Sequence, residues 1–190
     1  MHTRKQSITM LILCGMMTLS AATAPAAGTT RATATLRSCD GATVSGTAEF
    51  VERPSDEGVK LVDITIRING LKPGKHAVHI HEAGNCTPCS EAKGHFDPGP
   101  YGFSAPDGNH PFHSGDLVNI AVNGGGTGHL HTSTTRVTLS PGPLSLFDKD
   151  GSALIIHTDP DSYCPEGDVK GCAGGARAAC GIIELKADHP

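Results

Sequence analysis

In the stretch KLVDITIRI, Val62, Ile64, Ile66 and Ile68 alternate with Asp63, Thr65 and Arg67. A period of two over that length marks a strand with one face in a core and the other in water. The rest of the chain reads the same way. RATATLRSCDGATVSGTAEFVE predicts a strand, a turn at Asp40-Gly41 and a second strand, and KHAVHIH predicts a strand after the turn cluster NGLKPG. DLVNIAV and GHLHTSTTRVTL flank NGGG, SALIIH follows the turn DKDG, and ACGIIEL closes the series. No stretch carries a helical period. Two long segments, 83–115 and 158–176, lack any period. A loop that long inside a compact domain is usually functional. The pattern predicts one all-β domain, a sandwich or barrel.

Composition agrees with this and adds a compartment. Twenty-four glycines, 13 prolines, 4% aromatic residues and no tryptophan suit short strands joined by turns. The basic start MHTRKQ, the apolar run SITMLILCGMMTL and the small residues SAATAPAAG read as a secretory signal over residues 1–27, with cleavage near Ala26 or Ala27. Leu13 stands before Cys14 where a lipoprotein signal wants a small residue. The expected domain is therefore 28–190, exported to a periplasm or the outside, with no membrane attachment once the signal is gone. Losing Arg4 and Lys5 takes the net charge from −4 to −6, which gives no hint of a nucleic-acid partner. Six cysteines then remain: Cys39, Cys86, Cys89, Cys164, Cys172 and Cys180. An even count in an exported chain predicts disulfides, among fifteen arrangements that the sequence leaves open.

The candidate chemistry lies in HAVHIHE. His79 and His81 are two apart on a predicted strand, so both rings point to one side and can reach one ion. His129 and His131, in GHLHTST, have the same spacing but no company of other ligand types, and read as a solvated strand face. The first pair has company: His95 in GHFDP, His110, His113 and Asp116 in HPFHSGD, and His157 and Asp161 in IIHTDPD. Imidazoles with a few carboxylates suit copper and zinc rather than calcium or magnesium.

These segments, with SLFDKDGSALIIHTDPDSY and GGARAACGII, resemble the bacterial copper/zinc superoxide dismutases, in the family's order, from about residue 34 to 185. The resemblance implies a Greek-key barrel or sandwich of about eight antiparallel strands with two long functional loops. It implies copper on His79, His81, His95 and His157, with His95 also facing zinc. It gives zinc His113 and Asp116, makes Asp161 a carboxylate linking a copper histidine to a zinc histidine, and makes Arg177 the cation that guides superoxide. Both Arg177 and His95 would then serve catalysis. Cys180 matches one end of the family disulfide and would pair with Cys86 or Cys89, which leaves the other for Cys39; Cys164 and Cys172 share the second long loop, where they could close a small ring. His76 matches a histidine that is not a ligand. The state would be monomer or homodimer.

The match departs from the family at zinc. Phe103 stands where relatives usually have a zinc histidine, eight residues after His95. His110 is an extra histidine that either replaces it or faces solvent. The spacing of His110 and His113 around Pro111 favours an impaired or empty zinc site. A non-catalytic copper carrier on the same fold is the alternative function, but it would need neither Arg177 nor the full set of four histidines.

Overall fold

The computed structural model describes residues 29–99, 110–167 and 169–187. The expected signal segment and Phe103 lie outside them. Among these residues nine strands form one antiparallel sheet: β1 (Thr30–Ser38), β2 (Ser45–Pro54), β3 (Lys60–Asn69), β4 (Gly74–His76), β5 (Val78–His81), β6 (Ile120–Val122), β7 (Thr127–Thr134), β8 (Ala153–His157) and β9 (Arg177–Leu185). The order across the sheet is β4-β6-β7-β3-β2-β1-β9-β8-β5.

Its two ends, β4 and β5, are consecutive in the chain and separated only by Ala77. One run of chain therefore pairs with β6 by its first half and with β8 by its second, which nearly closes the sheet into a barrel. Counted as chain runs, the nine strands are the eight expected.

The alternation read in KLVDITIRI is the alternation of the wall. Val62, Ile64, Ile66 and Ile68 are fully buried and meet Phe50, Ile80, Leu154 and Ile156 inside the barrel. Each such side chain contributes about 1.5–3 kcal/mol by leaving water. A smaller apolar cluster lies outside the wall, where Ala153, Ile155 and Cys180 pack under a short 3-10 helix, Cys89–Ala92.

Two expected strands are shorter than the sequence pattern suggests. DLVNIAV contributes only Ile120–Val122, because Asp116 turns its carboxylate toward His95 and His113 and its backbone bridges to His79. GHLHTSTTRVTL leaves the sheet after Thr134, and the amides of Leu139 and Ser140 donate to the Glu52 carboxylate instead of a neighbouring strand. Among the described residues no helix is long and apolar enough to cross a membrane.

Candidate metal centre

On β5, Val78 and Ile80 point into the barrel, so His79 and His81 point out of it. His157, the last residue of β8, lies on the same outer face, where a bulge between Ile156 and His157 shifts the register with β9. His95 arrives from the loop that follows β5. Phe96 plugs that loop into the core, with its amide donating to the Ile80 carbonyl at 2.9 Å, and the backbone of His95 bridges to His81. Gly174 presses the second long loop onto Ala77 and the Cβ of His157; its φ of +99° and the lack of room for a Cβ both require glycine.

The four rings divide their nitrogens in the same manner. One nitrogen of each is held: His79 Nε2 by the Asp161 carboxylate (3.0 Å), His81 Nδ1 by the Lys93 carbonyl (2.9 Å), His95 Nδ1 by Asp116 (2.6 Å) and His157 Nδ1 by the Gly175 carbonyl (3.1 Å). The other nitrogen of each is buried without a hydrogen-bond partner: His79 Nδ1, and Nε2 of His81, His95 and His157. The four residues place ligand atoms within 4.8 Å of one another. Four convergent lone pairs, costly to bury unsatisfied, fit a cation that takes nitrogen ligands. Burial of the rings, with their mutual repulsion, disfavours protonation. It holds His81 well below its ordinary value, His95 at about 4 and His157 at about 3.

Beyond His95 the chemistry changes from imidazole alone to imidazole with carboxylate. Asp116 Oδ1 meets His95 Nδ1, and Asp116 Oδ2 lies 3.1 Å from both His113 Nδ1 and His110 Nδ1. Burial opposes ionisation of Asp116, but its contacts with His110, His113 and His95 outweigh this and keep the carboxyl far below its usual range. His110 is buried. Its Nε2 reaches both oxygens of Asp161, at 2.9 and 2.8 Å, so Asp161 joins His110 to His79. Burial lowers His110, yet the two carboxylates win and push it up to about 9. Asp161 is itself held: its amide donates to the Asn119 side-chain oxygen, and its carbonyl accepts from Asn119 Nδ2.

A cavity of about 400 Å³ opens beside the four-histidine group, lined by His81, His157, Lys170, Ala176 and Arg177 among others. Arg177 is half-buried, and burial pulls its pKa below the ordinary value. Its two terminal nitrogens donate to the carbonyls of Cys89 and Lys93. Lys93 has a φ of 61° and a ψ of −144°, a conformation rare for a residue with a side chain and costing about 1–3 kcal/mol, and its carbonyl serves both His81 and Arg177. Disulfides hold these supports. Cys39 bonds Cys89, Cys86 bonds Cys180, and Cys164 bonds Cys172, closing the ring that carries Lys170. Of the two partners open to Cys180, the structure pairs it with Cys86.

All the sequence-predicted site residues among those described converge on this one end of the barrel. His76 lies beneath it, its ring pinned between the carbonyls of His157 and Lys72, as a structural residue would be. His129 and His131 are exposed on β7. Sequence reasoning missed Asn119, Lys170 and Arg136. Arg136 donates to the carbonyls of Pro111, His113 and Asp116, tying down the segment that bears the ligand candidates. A contact to a backbone carbonyl leaves no mark in the partner's residue type, so no sequence signal pointed to Arg136.

The sequence profile of the family described as copper/zinc superoxide dismutase matches residues 44–183. The chain is 36% identical over 153 residues to a "Superoxide dismutase [Cu-Zn]" of Deinococcus radiodurans, covering 74% of this chain and 78% of that one. It is 40% identical over 146 residues to "Superoxide dismutase [Cu-Zn] 2" of Aquifex aeolicus, covering 74% and 79%. It is 39% identical over 159 residues to "Superoxide dismutase [Cu-Zn] 2" of Brassica juncea, covering 80% and 96%.

Proposed function

The chain belongs to the copper/zinc superoxide dismutase family, and from that premise we propose that it is an exported enzyme whose copper is held by His79, His81, His95 and His157. Its activity is superoxide dismutation, an oxidoreductase reaction in which two superoxide ions and two protons give dioxygen and hydrogen peroxide. The observation that carries the site assignment is the set of four buried, partnerless ring nitrogens that face one another.

When bound, copper supplies the one-electron redox step and zinc, which has no redox chemistry, supplies a fixed charge on the far side of His95. The protein's own groups do the rest. The carbonyls of Lys93 and Gly175 and the Asp161 carboxylate fix three of the imidazoles in orientation. His95, whose Nε2 is one of the four convergent nitrogens and whose Nδ1 is held by Asp116, would carry a proton to the reduced oxygen species. Arg177 keeps N–H donors to spare beyond its two carbonyl anchors. Its charge draws a small anion into the cavity against the net negative charge of the chain. Lys170 adds a second cation to that mouth. On the zinc side His95, His113 and Asp116 offer three ligands. Three disulfides among the described cysteines, together with the apolar run in residues 1–27, support export into an oxidising compartment.

The test is copper and zinc content of the purified mature protein beside a superoxide assay. Copper retained by the wild type, lost in His157→Ala together with dismutation, is the expected result. Copper bound with no dismutation would return the chain to the carrier reading, and copper kept in full by His157→Ala would refute the ligand set.

A further inference from the structure

The sequence leaves the zinc half one ligand short, because Phe103 stands where the family usually has histidine. We propose that His110, reached by a different path of the loop, coordinates zinc through Nδ1 and completes a site of His95, His110, His113 and Asp116. This rests on the reading above that the centre holds copper and zinc, and it takes the opposite side from the impaired site that the sequence favoured.

Four observations carry it. His110 Nδ1 is buried and has no hydrogen-bond partner, although Asp116 Oδ2 lies only 3.1 Å away. The two atoms are close but not aimed at each other, as ligands of a shared ion are. Zinc bonds of about 2.0–2.1 Å set at tetrahedral angles put neighbouring ligand atoms roughly 3.3 Å apart. Second, His113 Nδ1 stands at the same 3.1 Å from the same oxygen, there in hydrogen-bond geometry, so both rings approach Asp116 Oδ2 at one distance. Third, the rings of His95, His110 and His113 surround Asp116 with centroids 5.2 to 6.1 Å apart. Fourth, the remaining nitrogen of His110 is spent on Asp161, which leaves Nδ1 as the free donor and fixes where it points.

Ligand atoms of His79, His95, His110 and Asp116 lie within 4.8 Å of one another, and His113 adjoins that group through Asp116. His79 is not the fourth ligand, because Asp161 takes its Nε2 and its Nδ1 faces the copper nitrogens. The turn at Pro111-Phe112 accommodates the close spacing of His110 and His113 that favoured an impaired site. Phe112 is thrown outward, 70% exposed, while the histidines on either side both turn inward. Arg136 holds the carbonyls of Pro111 and His113 in that turn.

The experiment titrates the copper-loaded protein with zinc, and in parallel with cobalt(II), whose visible absorption reports ligand type. The wild type should bind one zinc per chain and His110→Ala should bind it more than about 100-fold more weakly, with copper retained. His110→Cys offers a thiolate at the same place but no ring to hold Asp161. Its cobalt(II) form should gain the intense thiolate-to-cobalt absorption, a signature of direct ligation that a merely structural role would not produce. Zinc bound equally well by His110→Ala, or no thiolate band in His110→Cys, would overturn the proposal. Copper without zinc in the wild type would also overturn it and leave the copper reading standing. A wild type that takes neither metal would overturn both.

Discussion

Two H-x-H pairs stand on two strands of this barrel and meet opposite fates. His79 and His81 on β5 are fully buried, and His129 and His131 on β7 are exposed. The local pattern is the same in both: an inward apolar residue separates the histidines, Ile80 in one and Leu130 in the other, so both pairs face out of the barrel. What differs is what lies over them. The loop carrying His95 folds onto the outer face of β5, beside His157 at the end of β8 and Arg177 at the start of β9. β7 has β3 beside it, whose outward residues Thr65 and Arg67 face water, and among the described residues the imidazoles gain one hydrogen bond, between Thr65 and His131 Nδ1. A strand presents side chains to a face; long-range connections decide whether that face becomes a site.

The sharpest way to break the comparison is to remove a ring from the covered pair. His81→Ala should lose copper and essentially all dismutation, because it deletes one of four convergent nitrogens and leaves the other three partnerless. Elemental analysis with a superoxide assay checks this, and wild-type copper in that variant would mean that the covered pair is as idle as the exposed one.

Much of this was legible in advance, for a physical reason. The strands and the core face follow from alternation, which is local. The four histidines proposed for copper could be picked out because they sit at strand ends and in a glycine-rich loop, in the company of carboxylates. The zinc half was harder. Residue type could mark Asp116 and His113, but whether His110 turns in depends on the path of the Pro111-Phe112 turn and on Arg136, whose partners are carbonyls. The choice of Cys86 over Cys89 for Cys180 depends likewise on how the 3-10 helix seats against β9.

Arg177→Ala tests the cover from another side. Copper should stay, since no ligand is touched, while the bimolecular rate falls by about tenfold or more and its ionic-strength dependence flattens. Stopped-flow decay of superoxide at several salt concentrations measures both. An unchanged rate and salt profile would reduce Arg177 to a brace for the Cys89 and Lys93 carbonyls.

The disulfide that seats one of those carbonyls comes next in size. Replacing Cys39 and Cys89 together with serine removes a bridge between residues 50 apart, worth about 2–4 kcal/mol of stability. Chemical denaturation should read that loss. Copper should remain, and anion binding at the Arg177 mouth should weaken because the Cys89 carbonyl is no longer fixed. Stability equal to the wild type would show that the cover is held without this staple.

Acid and alkali should act on the two halves of the centre in opposite senses. In chelated, metal-free protein His95 and His157 titrate at about 4 and about 3, against an ordinary value near 6.5, so folding binds fewer protons there than the unfolded chain does. Their contribution is whole above about 6.5 and is lost as pH falls through 4 and 3. His110 is raised to about 9, so its contribution is whole below about 6.5 and is lost as pH rises through 9. Metal-free stability should therefore peak near neutrality and fall on both sides. NMR titration of the ring protons would assign the alkaline step to His110, and a His110 resonance moving near 6.5 would contradict its contacts with Asp116 and Asp161.

The smallest effect belongs to the exposed pair. His129→Ala with His131→Ala removes two rings whose faces are in water and one hydrogen bond, Thr65 to His131, that water can replace. The inward neighbours Gly128, Leu130 and Thr132 are untouched, and the register with β3 is set by them and by the backbone ladder. Stability should therefore move by no more than about 0.5 kcal/mol, and copper content and rate should match the wild type. The measurement is denaturation beside metal analysis at a slight excess of copper. A second, weaker copper equivalent in the wild type that vanishes in the double variant would mean that an uncovered H-x-H suffices to hold an ion. The contrast between the strands would then be one of affinity and reactivity rather than of binding at all.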